Sequence, residues 1–173
     1  MIPVLETPRL RLRAHRAGDF DAFAAMWADP GVVRFIGGVP LSREAAWTRF
    51  LRQAGCWHHL GFGYFAVEER ATGAFVGEVG FQDMLRDLSP SIEGTPEAGW
   101  VLAEAGQGRG LAEEAMRAAI AWAEAAVPAK RMTCIIRPAH AASLHVAAKL
   151  GFREFARAAY GGAPILLLER ASA

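Results

Sequence analysis

A glycine-rich turn joins a predicted strand to a long predicted helix, and this junction limits the possible folds more than any other feature. The strand covers residues 97–102, the turn contains Gly106, Gly108 and Gly110, and the helix runs from Gly110 to about residue 127. Glycine permits a close backbone approach that a side chain would block. The helix N-terminus adds about half a positive charge. The junction therefore predicts a phosphate or pyrophosphate site.

The glycine spacing does not match the common nucleotide-binding motifs. No Gly-x-x-x-x-Gly-Lys-Ser/Thr run is present in the sequence. The dinucleotide pattern Gly-x-Gly-x-x-Gly fails because Leu111 or Glu113 stands at its third glycine. Two alternatives stay open here. The first is that the junction is a plain turn without a ligand. The second is that the chain is a nucleotide-binding protein, which ATP or NAD would stabilise against thermal unfolding.

Hydrophobic periodicity predicts further strands and helices on both sides of this junction. The other strands are predicted at residues 9–14, 64–68, 75–81, 131–136, 152–159 and 164–169. The other helices are predicted at residues 19–28, 42–57 and 141–150. An antiparallel first half followed by alternating strands and helices predicts a mixed α/β sheet with helices on its faces. The turn-rich segment 83–96 is a long loop, and such loops are often functional.

Composition narrows the class of protein. The chain has 173 residues, which favours one domain, and its 19 Lys and Arg balance 18 Asp and Glu. A net charge of +1 provides no excess of positive charge of the kind that nucleic-acid-binding proteins usually carry. No apolar run reaches the ~18 residues of a membrane helix. Its two cysteines form no CxxC pair, no metal-binding motif is present, and the start lacks signal-peptide features, so we expect a cytoplasmic protein without metal.

Several segments resemble one family. Residues 107–112, Gln-Gly-Arg-Gly-Leu-Ala, match the Gln/Arg-x-x-Gly-x-Gly/Ala acyl-CoA signature of the GCN5-related N-acetyltransferases (GNAT superfamily). Residues 5–13, 73–81, 97–102 and 142–152 resemble, in the same order, segments of the branch that includes the ribosomal-protein acetyltransferases RimJ and RimL. The agreement covers nearly the whole chain. The chain is therefore identified as a member of this superfamily that is similar to the RimJ/RimL branch.

The resemblance implies a GNAT fold in a single domain over residues 1–173. The expected core is a mostly antiparallel sheet of six to seven strands, flanked by about four helices. The strand at residues 97–102 should splay from the strand at residues 131–136. Acetyl-CoA, the implied cosubstrate, would enter the cleft between them. Homodimers are common in this branch, and the sequence does not decide the oligomeric state.

The resemblance also implies which residues contact acetyl-CoA. The pantetheine arm would bond to the free backbone of Trp100, Val101 and Leu102, and an N–H near Leu102 would polarise the thioester carbonyl. The pyrophosphate would lie on amides of the signature residues Gln107, Gly108, Arg109, Gly110, Leu111 and Ala112. Arg109 would add a permanent cation.

Amine acetylation also needs groups that move protons. Glu97, which matches a family glutamate, is the first candidate to accept the amine proton, and an exposed strand-end carboxylate is the alternative. Glu78 is the second candidate. Strand alternation puts it on the face opposite Val79, so it would hold the amine only if that face lines the cleft. Ser143 is expected to hydrogen-bond the sulfur or the pantetheine, or else to face solvent.

The sequence departs from the family pattern at two positions. Ala147 replaces a tyrosine that protonates the leaving thiolate in many members, and His140 replaces an asparagine. His140 can still donate one hydrogen bond to the cofactor. These departures leave open a non-catalytic module that binds or senses acyl-CoA.

The function implied by the resemblance is transfer of an acetyl group from acetyl-CoA to a primary amine. The amine would attack directly within a ternary complex, without a covalent enzyme intermediate. The acceptor is either a small-molecule amine or a peptide N-terminus, and we expect neither nucleic acid nor membrane as a partner. Four aromatic residues either line an acceptor pocket or belong to the core: Trp47, Trp57, Phe62 and Tyr64.

Overall fold

The computed structural model describes residues 1–172, in which one eight-stranded sheet carries helices on both faces. The strands are β1 (Leu5–Glu6), β2 (Leu10–Arg13), β3 (Tyr64–Glu69), β4 (Phe75–Gln82), β5 (Glu97–Leu102), β6 (Arg131–Ile136), β7 (Arg153–Tyr160) and β8 (Ala163–Ala171). The helices are α1 (Phe20–Ala28), α2 (Pro30–Val33), α3 (Arg43–Leu60), α4 (Leu111–Ala126) and α5 (Ala141–Lys149).

The strand order is β1-β2-β3-β4-β5-β6-β8-β7, and every neighbouring pair is antiparallel except β5 with β6. The predicted mixed fold with a mostly antiparallel sheet is therefore confirmed. The sheet has one strand more than expected because Leu5 and Glu6 pair with Leu12 and Arg11. So short a strand carries almost no periodic signal of its own.

Side chains at the helix starts explain the observed boundaries. The Ser42 hydroxyl accepts a hydrogen bond from the Ala45 N–H at 3.1 Å, and α3 continues to Leu60, three residues beyond the prediction. Asp29 ends α1 as predicted, but its carboxylate also accepts a hydrogen bond from the Gly31 N–H at 2.7 Å. This cap starts α2, a helix that the sequence analysis did not predict.

Two hydrophobic clusters cover opposite faces of the sheet. On one face, strand residues such as Phe65 and Phe81 pack against α4 and α5. On the other face, Phe23, Trp27 and Phe50 of α1 and α3 form a second cluster with Val101. The central strands are thus buried on both sides, so polar residues on either face must find partners inside the protein.

Arg13 shows the consequence of this double burial. The alternation of Leu10 and Leu12 with Arg11 and Arg13 predicts a half-buried strand whose arginines face solvent. Arg13, however, is only 4% exposed. Its guanidinium donates two hydrogen bonds to Asp19, at 2.7 and 2.8 Å, and one to Glu68 at 2.7 Å. The prediction was wrong because Asp19, just before α1, closes over this face of β2.

We expect Asp19→Asn to lower the free energy of unfolding by about 3–5 kcal/mol, since it leaves a buried guanidinium with one carboxylate partner. Burial raises the pKa of Asp19, but hydrogen bonds from Arg13 and from the Arg16 N–H outweigh it, and the net pKa is lowered. The stabilisation is therefore present above the ordinary pKa of about 3.9 and is lost as pH falls through the lowered value. Urea unfolding at pH 7 and pH 3 measures both effects. Equal stability of variant and wild type at pH 7 would contradict this role.

None of the helices formed by residues 1–172 is long and apolar enough to cross a membrane.

Candidate functional site

The sheet opens between β5 and β6. These parallel strands share one register pair, Glu97 with Thr133, where the Thr133 N–H donates to the Pro96 carbonyl at 3.0 Å. In an antiparallel pair, every second residue of a strand forms hydrogen bonds with its neighbour strand. The Ala103 N–H donates to the Val76 carbonyl of β4, so Val101, two residues earlier, also directs its backbone groups toward β4, at Glu78. Trp100 and Leu102 therefore present their backbone groups to the gap. This refines the expectation that all three residues 100–102 are free.

A cavity of about 430 Å³ lies at the Leu102 end of this gap, and we call it the loop cavity. It is enclosed by β5, the glycine turn, the start of α4 and one side of α5. Nearly all the residues expected to contact acetyl-CoA line it: Trp100, Val101, Leu102, Gln107, Gly108, Gly110, Leu111, Ala112, His140 and Ser143. Segments that lie far apart in the sequence thus form one cleft.

The glycine turn has the geometry of an anion cradle. Gly108 and Gly110 have φ values of +70° and +76°, a left-handed conformation that favours glycine. Gly110 precedes α4 without a capping side chain, and the backbone N–H groups of residues 108–112 have no acceptor within residues 1–172. Gln107 fixes the turn to β5 by donating from Nε2 to the Leu102 carbonyl at 2.9 Å. Free N–H groups at a helix start fit a pyrophosphate.

Arg109 is the exception among the expected contacts, because it does not line the loop cavity. Its guanidinium pairs with Glu69 of β3 and donates to the Ala105 carbonyl at 3.3 Å. Arg9 in turn donates to the Arg109 carbonyl at 2.9 Å. The prediction that the Arg109 side chain adds a positive charge to the anion site is therefore wrong. Arg109 attaches the turn to the sheet instead.

A second cavity of about 540 Å³ meets the loop cavity at Trp100, Val101, His140 and Ser143. We call it the arginine cavity, because four arginines line it: Arg49, Arg52, Arg86 and Arg137. Tyr64, Gln82, Glu97 and Tyr160 also line it. A molecule in each cavity would meet its neighbour at the opening between β5 and β6.

Glu97 lies in the wall of the arginine cavity and is 4% exposed. Arg86 donates to both of its carboxylate oxygens, at 2.6 and 2.9 Å, and Gln82 donates to Oε1 at 2.9 Å. The alternative of an exposed strand-end carboxylate is therefore wrong. The loop at residues 83–96 brings Arg86 back over the start of β5, and the sequence did not indicate this pairing.

Glu78 lies on the sheet face opposite Val79, as strand alternation predicted. It is 0% exposed and lines neither cavity. Its carboxylate accepts hydrogen bonds from Trp27 Nε1 at 3.2 Å and Gln53 Nε2 at 2.7 Å. The condition for holding a substrate amine is not met, and Glu78 instead links α1 and α3 to the sheet.

His140 and Ser143 stand where the two cavities meet, at the start of α5. The His140 ring stacks on Phe35 with centroids 4.5 Å apart. Burial lowers the pKa of His140, so its ring is mostly uncharged at neutral pH. One turn further along, the Ala147 methyl group is buried in the core beneath α5. Ser143 thus supplies the nearest hydroxyl on α5 to the junction.

Of the four aromatic residues considered for an acceptor pocket, Tyr64 lines the arginine cavity. A Cβ atom added to Gly99 would lie 1.8 Å from the Tyr64 hydroxyl, so glycine at this position of β5 makes room for the phenol ring. Burial, followed by the nearby Glu97 carboxylate, raises the pKa of Tyr64. Trp57 and Phe62 pack against the core, and Trp47 is 43% exposed and packs on Phe20 and Phe50.

Most of the charged lining of the arginine cavity was not predicted from the sequence. Arg49 and Arg52 are three residues apart on α3 and share one face of it. That spacing was the available signal, but surface helices often show it too. Within residues 1–172, no group of three or more His, Cys, Asp or Glu side chains is placed to hold a metal ion.

The comparisons with known proteins agree with this geometry. The model of the acetyltransferase (GNAT) domain family matches residues 9–153. The Bacillus subtilis (strain 168) protein YkkB, itself uncharacterized, is 28% identical over 97% of this chain and 95% of its own length. A Bordetella pertussis protein assigned to the GnaT family of acetyltransferases is 36% identical with a TM-score of 0.86, over 98% of this chain and 99% of its own.

The structure of RimL, a ribosomal L7/L12 alpha-N-protein acetyltransferase in complex with coenzyme A, superposes with a TM-score of 0.78. Its sequence is 16% identical, and the match covers 98% of each chain. The fold is thus that of the GNAT acetyltransferases, including RimL. The chain belongs to the acetyltransferase (GNAT) family, whose members use acetyl-CoA.

Proposed function

We propose that this protein transfers the acetyl group of acetyl-CoA to a primary amine by direct attack within a ternary complex. The observation that carries the proposal is the meeting of two cavities at the opening between β5 and β6. The loop cavity has the anion cradle that a CoA pyrophosphate needs, and the arginine cavity has space for an acceptor. Cys134 also lines the arginine cavity, but burial raises its thiol pKa, which argues against a covalent cysteine intermediate.

The proposed roles of the loop cavity follow from its free backbone groups. The N–H groups of residues 108–112 would bind the pyrophosphate. The backbone groups of Trp100 would bind the pantetheine arm, because the Leu102 carbonyl already accepts a hydrogen bond from Gln107. The Leu102 N–H would stabilise the negative charge that develops on the thioester oxygen. Acetyl-CoA supplies the activated acetyl group, and these contacts would hold it toward the arginine cavity.

Glu97 remains our candidate for the group that removes the amine proton. It lines the arginine cavity, and Oε2 accepts a single hydrogen bond, from Arg86. A carboxylate oxygen has two lone pairs, so Oε2 can accept the amine proton directly or through a water. Arg86 and Gln82 would hold the carboxylate in a fixed orientation.

We expect Ser143→Ala to lower kcat by about tenfold, because a hydrogen bond to the departing thiolate stabilises charge in the transition state. The KM for acetyl-CoA should change less. Ser143→Thr keeps the hydroxyl and should restore much of the rate. Steady-state kinetics of both variants measure this, and equal kcat values for wild type and Ser143→Ala would show that another group meets the thiolate.

The first experiment is a thermal-shift titration with acetyl-CoA, CoA, ATP and NAD, followed by a thiol-release assay over amine classes. A ligand that binds the native state raises stability by about RT ln(1 + [L]/Kd). We expect shifts with acetyl-CoA and CoA and release of CoA thiol with an amine. Thermal shifts without thiol release would favour the alternative, a non-catalytic acyl-CoA-binding module. The absence of a hydroxyl group at Ala147 is the observation that supports this alternative.

A further inference from the structure

The charge of the arginine cavity is strongly unbalanced. Four arginines line it, and Glu97 is the only carboxylate among its described lining residues. Glu97 is already matched by Arg86, which binds both carboxylate oxygens. The positive charges of Arg49, Arg52 and Arg137 are left facing the cavity. A neutral or cationic acceptor would add nothing to balance them.

Arg49 shows how incompletely these charges are paired. Its guanidinium carbon lies 3.7 Å above the centre of the Trp27 ring, and its Nε is buried without a hydrogen-bond acceptor. The nearest described carboxylate oxygen is Glu78 Oε1, 3.9 Å from Nε. That carboxylate already accepts hydrogen bonds from Trp27 and Gln53. Glu78 therefore offsets the charge of Arg49 only in part.

Arg52 is less well satisfied. Its Nε is also buried without an acceptor, and no carboxylate within residues 1–172 forms an ion pair with it. Burial, together with repulsion from Arg52 and Arg86, lowers the pKa of Arg49. Arginine still keeps its proton in proteins. Arg49 and Arg52 are half-buried and cannot lose their positive charge by deprotonation. An anion that binds to both guanidinium groups would therefore stabilise them.

We propose that the amine acceptor carries an oxyanion, a carboxylate or a phosphate, which Arg49 and Arg52 bind inside the arginine cavity. This inference rests on the proposed acetyltransferase function. The N–C bond to the acetyl group forms as the C–S bond breaks, the amine proton passes to Glu97, and the CoA thiolate leaves. A cavity of about 540 Å³ is of the size that encloses a small molecule. The acceptor is therefore a small anionic amine such as an amino acid or a phosphorylated amino alcohol.

The pyrophosphate of CoA does not explain these two arginines. Arg49 and Arg52 line the arginine cavity and not the loop cavity, where the glycine turn and Lys149 lie. The anion they bind must therefore enter with the other substrate.

Matched acceptor pairs test the proposal directly. Thiol release is measured with amino acids and their amides, and with phosphoethanolamine and ethanolamine. The amino acid and phosphoethanolamine arms distinguish carboxylate from phosphate. We expect kcat/KM at least about tenfold higher for the anionic member of each productive pair, since a hydrogen bond to a charged group is worth about that much. Higher kcat/KM for the neutral members, for spermidine, or for a peptide N-terminus without acidic residues would overturn the proposal.

Arg52→Gln tests the site itself. It should raise the KM for the anionic acceptor about tenfold or more, whereas the KM for acetyl-CoA should change much less. Arg52→Lys should restore part of the affinity. The matched control is Arg43→Gln on the same helix, whose side chain is 68% exposed and pairs with Asp21 outside the cavity. An unchanged acceptor KM in Arg52→Gln would overturn the assignment.

A binding arm separates this inference from the proposed function. If no amine releases thiol, the proposed function fails, and sodium sulfate is used as an oxyanion probe on CoA-saturated protein. The thermal shift is compared with sodium chloride at equal ionic strength in the wild type and in the Arg49→Gln/Arg52→Gln variant. A sulfate-specific shift that the double variant loses supports an oxyanion site in the arginine cavity. Equal shifts in both proteins would overturn it.

Discussion

Replacing Gly110 by valine is expected to abolish the thermal stabilisation that acetyl-CoA and CoA give the wild-type protein. Gly110 has a φ of +76°, and for an L-residue this left-handed conformation costs about 1–2 kcal/mol, with more for a β-branched side chain. The nearest atom to a Cβ at this position is an Arg9 nitrogen at 3.7 Å, so the protein has space for the new atom. The damage should come from the backbone, which would leave the conformation that aims the N–H groups at the pyrophosphate.

Gly73→Val is the matched control for this prediction. Gly73 has a φ of +72° in the turn between β3 and β4, with no other atom within 4 Å of a Cβ. It does not line either cavity. Both variants should therefore lose a similar amount of stability, but only Gly110→Val should lose CoA binding, with Kd weaker by about 100-fold or more, equal to about 2.7 kcal/mol. Wild-type CoA affinity in Gly110→Val would show that the pyrophosphate lies elsewhere.

Glu97→Gln is expected to lower kcat by about 10²-fold, the usual contribution of a positioned proton acceptor. The amide has almost the same shape as the carboxylate but cannot take the amine proton. The KM for acetyl-CoA should stay near the wild-type value, because Glu97 lines the arginine cavity and not the loop cavity. Single-turnover thiol release at saturating acetyl-CoA and acceptor, measured across pH, gives the comparison.

Arg86→Gln separates chemistry from structure in this test. Both substitutions break the same ion pair, in which Arg86 binds both oxygens of Glu97. If the pair merely stabilises the loop at residues 83–96, the two variants should lose similar amounts of rate and of thermal stability. If the Glu97 carboxylate accepts the proton, Glu97→Gln should be much slower than Arg86→Gln. Equal kcat values for Glu97→Gln and wild type would assign the proton to another group, and the uncharged His140 ring would be the next to test.

The features that were predicted correctly from the sequence are those that depend only on interactions between neighbouring residues. The start of α3 near residue 42, the glycine turn before α4 and the end of α5 near residue 150 each depend on a few adjacent residues. Alternation in β4 correctly separated Glu78 from Val79. The order of motifs also identified the family, because each motif keeps its local structure and its place along the chain.

Errors arose where the partner of a charged side chain lies far along the chain. Arg109 lies in the right turn, but Glu69, forty residues earlier in the sequence, draws its guanidinium to β3. Arg13 was placed on a solvent face, and Asp19 and Glu68 bury it. A local pattern says which face a side chain occupies, but not which other element covers that face.

The family and the strand–turn–helix junction could be predicted from the sequence alone, and so could the helix start whose N–H groups we propose bind the CoA pyrophosphate. It takes the packed structure to show that β5 and β6 separate directly after Glu97 and Thr133, and that α3 contributes Arg49 and Arg52 to the arginine cavity. The difference lies in the range over which the interactions act. Backbone conformation and helix capping act over a few residues, whereas charge balance in a buried cavity depends on every element that forms its walls.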